Sequence, residues 1–235
     1  YEEKQKCIGI INVIALKTLY WLGKRYSRYG PWKYIKKSCY EVAIGEKQVL
    51  FIGSGGELHD IVKHALPACS VITSIDLDIK REPDYIMDVC NLKFSNNSFD
   101  YIFMLEVLEH VQEPSNAMSE IHRCLKPGGK LFMSTPFIFG IHDAPNDYYR
   151  YTKFGLKYLT RKFQSVKIKE RNSYIFAVCV LPIRLIMART IFGKVMGLFF
   201  LLAITFLLPM IYLISLLVRS DQATTGYTAT CIKQR

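Results

Sequence analysis

The sequence predicts an α/β protein, a parallel sheet with helices on both faces, carrying an apolar helical insertion before its last strand. Three observations predict it. Between residues 46 and 136, short apolar runs alternate with helical patterns, as in successive βαβ units. The first run stops at Gly53-Ser54-Gly55-Gly56, as a strand does when it ends in a tight turn that opens a helix. Residues 195–218 carry no charge, and at about 1.5 Å per residue such a run could span a bilayer as one helix.

The elements follow in order. Val49–Ile52 reads as a buried strand, and Glu57 to Ala65 as the helix after the glycine turn. A second run, Val71–Ile75, ends in Asp76. That acid lies about 20 residues past the glycines, where nucleotide-binding folds place a carboxylate on ribose hydroxyls. Tyr85–Met87 ends in Asp88, and Phe99–Leu105 leads into Glu106-Val107-Leu108-Glu109-His110-Val111. Ser115 to Leu125 is a helix, with Pro114 ahead of it and Pro127-Gly128-Gly129 stopping it. Lys130–Ser134 is the fifth run, followed by a polar and aromatic loop over 137–151. Thr152 is a good N-cap for a helix to about Lys162. Val166–Lys169 and Gly226–Lys233 read as strands on either side of the apolar stretch. Right-handed crossovers bring the carboxyl ends of parallel strands to one rim. Gly53, Asp76, Asp88 and Glu106 therefore meet there, where open α/β sheets bind ligands.

The motifs together resemble the class I S-adenosylmethionine-dependent methyltransferases of the small, single-domain type. The likeness covers about residues 45–136. It rests on the glycine turn, Asp76, Asp88, the run from Ser98 through Phe99-Asp100 to Glu106-Val107-Leu108-Glu109-His110-Val111, and Leu125-Lys126-Pro127-Gly128-Gly129 leading to Ser134-Thr135-Pro136. The chain departs from the pattern at Phe51, where the family usually has an acid, and at Glu57, where it usually has a third glycine. The resemblance implies a Rossmann-like, seven-stranded, mostly parallel sheet whose last strand is antiparallel, and S-adenosylmethionine as cofactor. It implies that Gly53, Ser54 and Gly55 face the methionine end. Asp76 and Leu77 would lie at the ribose, Asp88 and Val89 at the adenine, and Glu106 would complete the pocket.

Methyl transfer from a sulfonium needs an acceptor held in line and, for a hydroxyl, a base. His110, His142 and Asp147 are the candidate bases. Tyr148, Tyr149 and Arg150 could stack on or hydrogen-bond a sugar or phosphate. Similar methyltransferases often carry the run matched here by His142, Pro145, Asp147, Tyr148, Arg150 and Thr152. Their setting is polysaccharide and lipid-linked glycan synthesis. The five histidines show no regular ligand spacing, so no metal is expected.

Half the residues are hydrophobic and the formal charge is +11. That balance points to an anionic partner such as a membrane surface. The seven cysteines are odd in number and scattered, which fits a reducing compartment. The first residues do not read as a secretory signal. Residues 1–45 mix a helical apolar pattern with basic and aromatic residues, either an interfacial helix or a cover for the cofactor pocket. Nucleic acid is not expected, since no recognition motif accompanies the charge.

Four parts follow: an N-terminal segment over 1–45, a core over 46–173, an apolar membrane-associated insertion over 174–220, and a final strand of the core over 221–235. If the strands flanking the insertion share a sheet, its ends lie on one side of a membrane. A bent, re-entrant or in-plane segment is then expected, turning near Pro209. The expected activity is O-methylation of a glycan, lipid-linked or prenyl-type acceptor at the cytoplasmic face of a membrane. The alternatives are a tethered enzyme for a soluble small molecule and a catalytically degenerate scaffold.

Overall fold

The computed structural model describes residues 30–42, 44–218 and 220–235. Most of the basic, aromatic N-terminal segment lies outside the described residues. The chain divides into two compact units, one formed by residues 31–171 with 226–235 and the other including residues 172–225.

The first unit is a seven-stranded sheet in the order β3-β2-β1-β4-β5-β7-β6. Its strands are β1 Gln48–Ile52, β2 Val71–Asp76, β3 Tyr85–Ile86, β4 Phe99–Leu105, β5 Leu125–Pro136, β6 Ser165–Glu170 and β7 Gly226–Ile232. β1 to β5 are mutually parallel, and β7 runs antiparallel between β5 and β6. This is the Rossmann-like, mostly parallel sheet that the sequence predicts.

Alternation along the strands explains the two covered faces. Val49, Phe51, Phe103, Leu105 and Phe132 form one core with helices α1, over residues 30–40, and α2, Gly56–Ala65. Leu50, Ile52, Ile102, Met104, Leu131 and Met133 form the other, with helix α3, Pro114–Cys124, and with Leu156 of helix α4, Lys153–Leu159. Because successive strand residues point to opposite faces, both must be apolar, and each fully buried Leu, Ile or Phe contributes about 1.5–3 kcal/mol.

Two helix boundaries shift, by one and three residues. Helix α2 starts at Gly56 rather than Glu57. Helix α4 stops at Leu159, short of Lys162. There Thr160 turns its hydroxyl back onto the Leu156 carbonyl at 2.8 Å, and the amide of Gln164 is already bonded to Ile232 of β7.

The second unit is helical. Its helices are α5 Tyr174–Ile183, α6 Ile191–Phe206 and α7 Leu208–Leu217, with a 3-10 turn at Arg184–Met187. Ser173 and Thr190 cap α5 and α6 by accepting from Phe176 N and Gly193 N. Ile183, Ile186, Leu201, Ile204 and Ile211 make a small core. Gly197 lets α6 cross the 3-10 turn, where any Cβ would overlap the Ile186 amide. Asn172 Oδ1 accepts from Thr224 Oγ1 and Thr225 N, both at 3.0 Å, so the two ends of the unit meet.

No described helix is long and apolar enough by itself to cross a membrane. The uncharged run is broken instead: α6 and α7 meet at 70°, with Pro209 in the first turn of α7. Large apolar side chains remain on the outside, among them Phe192, Phe199, Leu202, Phe206, Leu213 and Leu217.

Candidate active site

The glycine turn sits at the carboxyl end of β1. Gly53, Gly55 and Gly56 have φ of 90°, 74° and 75°, a region that side chains disfavour. At Gly53 a Cβ would also overlap Val107 Cγ2. The amides of Gly53 and Ser54 both donate to the Ile75 carbonyl, at 2.9 and 3.2 Å. Ser54 is fully buried, and its hydroxyl donates to the Arg81 carbonyl at 3.2 Å. The turn is thus pinned to the end of β2. Gly55 N-caps α2 with no side-chain cap, leaving the kind of helix N-terminus that suits a carboxylate.

Phe51 is buried beneath the loop and stacks on Phe103. His59, one turn into α2, supplies an acceptor to the loop where the resembling pattern has an acid. Its Nδ1 accepts from Gly55 N at 3.2 Å, and its ring lies 4.6 Å from that of Phe51. Burial lowers the His59 pKa, keeping the imidazole neutral and able to accept. Sequence reasoning missed this residue, because an i+4 partner of a glycine amide leaves no pattern of its own.

Asp76 ends β2 with Oδ1 accepting from Asp78 N at 2.9 Å and Oδ2 3.9 Å from Arg81 Nε. A carboxylate offers about four acceptor positions, so it retains capacity for two hydroxyls. Asp88 accepts from Cys90 N at 2.8 Å, Val89 is buried, and Leu77 is exposed. Glu106 stands at the end of β4 with φ of 57°. It is held in a fork by Arg171, whose guanidinium donates to both carboxylate oxygens, and by the Ser134 hydroxyl at 2.7 Å. Arg171 is the second residue that sequence reasoning missed; it lies 65 positions from its partner.

A second cluster forms where the turn after β4 meets the loop after β5. The amides of Tyr148 and Tyr149 both donate to the Glu109 carbonyl, at 2.9 and 3.2 Å, and pin the loop. The His110 and His142 rings meet edge to face with centroids 4.9 Å apart. Both Nε2 atoms stand 3.8 Å from Glu109 Oε1. Glu109 is wholly buried, Oε1 has no hydrogen-bond partner, and Oε2 takes one long bond, 3.4 Å, from Thr135 Oγ1. Burial, then the nearby Glu106 charge, push the Glu109 carboxyl well above the usual carboxylate range.

Asp147 accepts from the His142 amide at 3.0 Å and lies 3.4 Å from His142 Nδ1. Arg150 binds it in a fork at 2.5 and 2.6 Å, and holds its carboxyl well below the ordinary range. Asp147 is therefore a weak base, and its contacts fit it to orient His142. The side chains read as substrate contacts are engaged within the loop and with Gln112, just after the turn that follows β4. Tyr148 Oη bonds Asn146 and Gln112, Tyr149 Oη donates to the Gln112 carbonyl, and Arg150 is paired with Asp147.

The sheet order, the glycine turn and the acid ending β2 are those of the Rossmann-like methyltransferase fold. Residues 56–133 match the family model described as "Methyltransferase domain". Among curated relatives, the chain is 30% identical over 119 residues to a ubiquinone biosynthesis O-methyltransferase of Coxiella burnetii, covering 44% of this chain and 48% of that one. It is 26% identical over 131 residues to a sterol 24-C-methyltransferase of Aspergillus fumigatus, covering 50% and 35%. The fold resembles phosphoethanolamine N-methyltransferase 2 of Haemonchus contortus with a TM-score of 0.55, at 15% identity, over 85% of this chain and 52% of that one. That protein was solved with phosphomonomethylethanolamine and S-adenosylhomocysteine. The chain spans less than half the length of the curated relatives named here.

Proposed function

We propose that this protein transfers the methyl group of S-adenosylmethionine to a hydroxyl of an amphipathic acceptor, a lipid-linked glycan or prenyl-type lipid, at the cytoplasmic face of a membrane. The observation that carries the reading is the common rim. The glycine turn and Asp76 suit the cofactor, and the turn after β4 and the loop after β5 bring titratable groups to the carboxyl ends of neighbouring strands. An acceptor oxygen forms a bond to the methyl carbon while the carbon–sulfur bond breaks, its electron pair staying on sulfur as the neutral thioether. The acceptor proton leaves to the Glu109–His110–His142 cluster or to a water there.

Two features support an apolar acceptor at a membrane. The curated relatives include enzymes named for ubiquinone and sterol. The helical unit keeps large apolar side chains on its outside, with Phe206 85% and Leu217 84% exposed, the kind of surface that suits a membrane contact. The test is turnover of labelled S-adenosylmethionine against total lipid extract and against the water-soluble fraction of the same cells. Label is expected in the lipid fraction. Label only in the soluble fraction overturns the lipid acceptor, and no label in either, with cofactor bound, overturns the enzyme reading.

A further inference from the structure

We propose that Glu109, His110 and His142 form a divalent-metal site of the zinc type beside the cofactor crevice. One atom from each, a carboxylate oxygen and two imidazole nitrogens, lie within 4.8 Å of one another. Both Nε2 atoms are 3.8 Å from the same oxygen, Glu109 Oε1. Ligands bound tetrahedrally at about 2.0–2.1 Å stand roughly 3.3 Å apart, so a contraction of about half an ångström brings these two pairs to metal geometry.

The hydrogen bonds behind the rings decide what the cluster lacks. His110 Nδ1 lies 2.6 Å from the Asn146 carbonyl. His142 Nδ1 lies 3.3 Å from the Gly140 carbonyl and 3.4 Å from Asp147 Oδ2. Carbonyls and carboxylates only accept, so each Nδ1 carries the ring proton and each Nε2 presents a lone pair to Glu109. Both imidazole lone pairs then converge on Glu109 Oε1. Glu109 Oε1 is fully buried and has no hydrogen-bond partner. A cation satisfies all three at once. The outward bonds from Nδ1 to carbonyl and carboxylate are also those that orient metal-binding histidines.

Two imidazoles and one carboxylate select a borderline metal such as zinc over magnesium or calcium, which favour all-oxygen shells. Asp143 Oδ2, on the same loop and 4.0 Å from His110 Nε2, is a further carboxylate within reach. Three protein ligands leave a position open for water or an acceptor hydroxyl, and a bound hydroxyl loses its proton more readily. That use of the metal rests on the methyl-transfer reading above; the existence of the site does not.

The experiment strips the full chain with a chelator and titrates it with zinc against a chromophoric competitor. Affinity for S-adenosylhomocysteine is measured in parallel by calorimetry. Wild type is expected to take one zinc per chain, E109Q and H142A each to weaken it by about tenfold or more, and H64A to leave it unchanged. Cobalt substituted for zinc should give visible bands that H142A abolishes. No stoichiometric zinc, or full affinity in both variants, overturns the proposal. If E109Q fails to fold, H142A, on the loop, decides. Zinc bound as expected by a protein that does not bind S-adenosylhomocysteine supports the site and overturns the methyltransferase reading.

Discussion

Two single residues test the cofactor pocket. Asp76 sits at the carboxyl end of β2 with acceptor positions to spare. Asp76→Ala is expected to weaken S-adenosylmethionine by about 1.5–3 kcal/mol, the worth of hydrogen bonds to a charged acceptor. Calorimetry on both proteins reads this, and equal affinities would remove Asp76 from the site. Gly53 combines a φ of 90° with a hydrogen-to-methyl clash against Val107. Gly53→Ala should therefore strain the turn by about 1–3 kcal/mol and lower cofactor affinity more than it lowers the melting temperature. A variant that binds cofactor normally would show that the turn has room that this geometry denies. The glycines and Asp76 were legible because backbone conformation and strand-end position restrict the residue type. Glu109 was not, although it stands inside a readable motif. Nothing in a run of Glu-Val-Leu-Glu-His says which acid will be buried without a partner.

At the scale of elements, helix α3 holds the segment before β4 through one arginine. Arg123 donates to Glu120, to the carbonyls of Leu92 and Phe94 and to Asn96 Oδ1 at 2.7–2.9 Å, and Glu120 accepts from Leu92 N at 2.9 Å. The Arg123 guanidinium holds the Glu120 carboxyl below its ordinary value. A depressed carboxyl contributes stability above its unfolded pKa, about 4.3, and loses it as pH falls through the folded value. Glu120→Gln is therefore expected to cost about 1 kcal/mol near neutrality, a figure reduced for its partial exposure, and less in acid. Urea melts of both proteins at about pH 7 and pH 4 check the sign; a gap that widens in acid would refute it. The helix was legible from Pro114 and the glycines that stop it. The arginine's four acceptors were not, because they lie up to 31 positions away.

For the whole molecule the sharpest expectation concerns topology. β6 and β7 pair antiparallel, with Glu170 opposite Tyr227, and the insertion leaves and returns between them. The protein is expected to sediment with membranes, and replacing residues 174–219 with a short Gly/Ser link should release it. Removing exposed apolar surface from water is worth about 25 cal/mol per Å², so helices this apolar partition strongly. Cysteines at Lys194 and Ser220, in a background without the native thiols, should react with an impermeant reagent from the same face. Labelling from opposite faces would be incompatible with β7 lying beside β6.

By itself the sequence determined the α/β class, the strand sequence, the glycine turn with its acid at β2, and the break in the apolar run near Pro209. Each of these follows from local chemistry: periodicity, turn conformation, and the missing amide of proline. Only the tertiary structure decided how distant side chains meet. It set His59 under the Gly55 amide, closed Arg171 around Glu106, and swung His142 from the loop after β5 onto Glu109 and His110. It also paired Asp147 with Arg150 and set it beside His142. Such contacts depend on long-range packing, for which a single sequence carries no spacing signal, and the chemistry of this site is built from them.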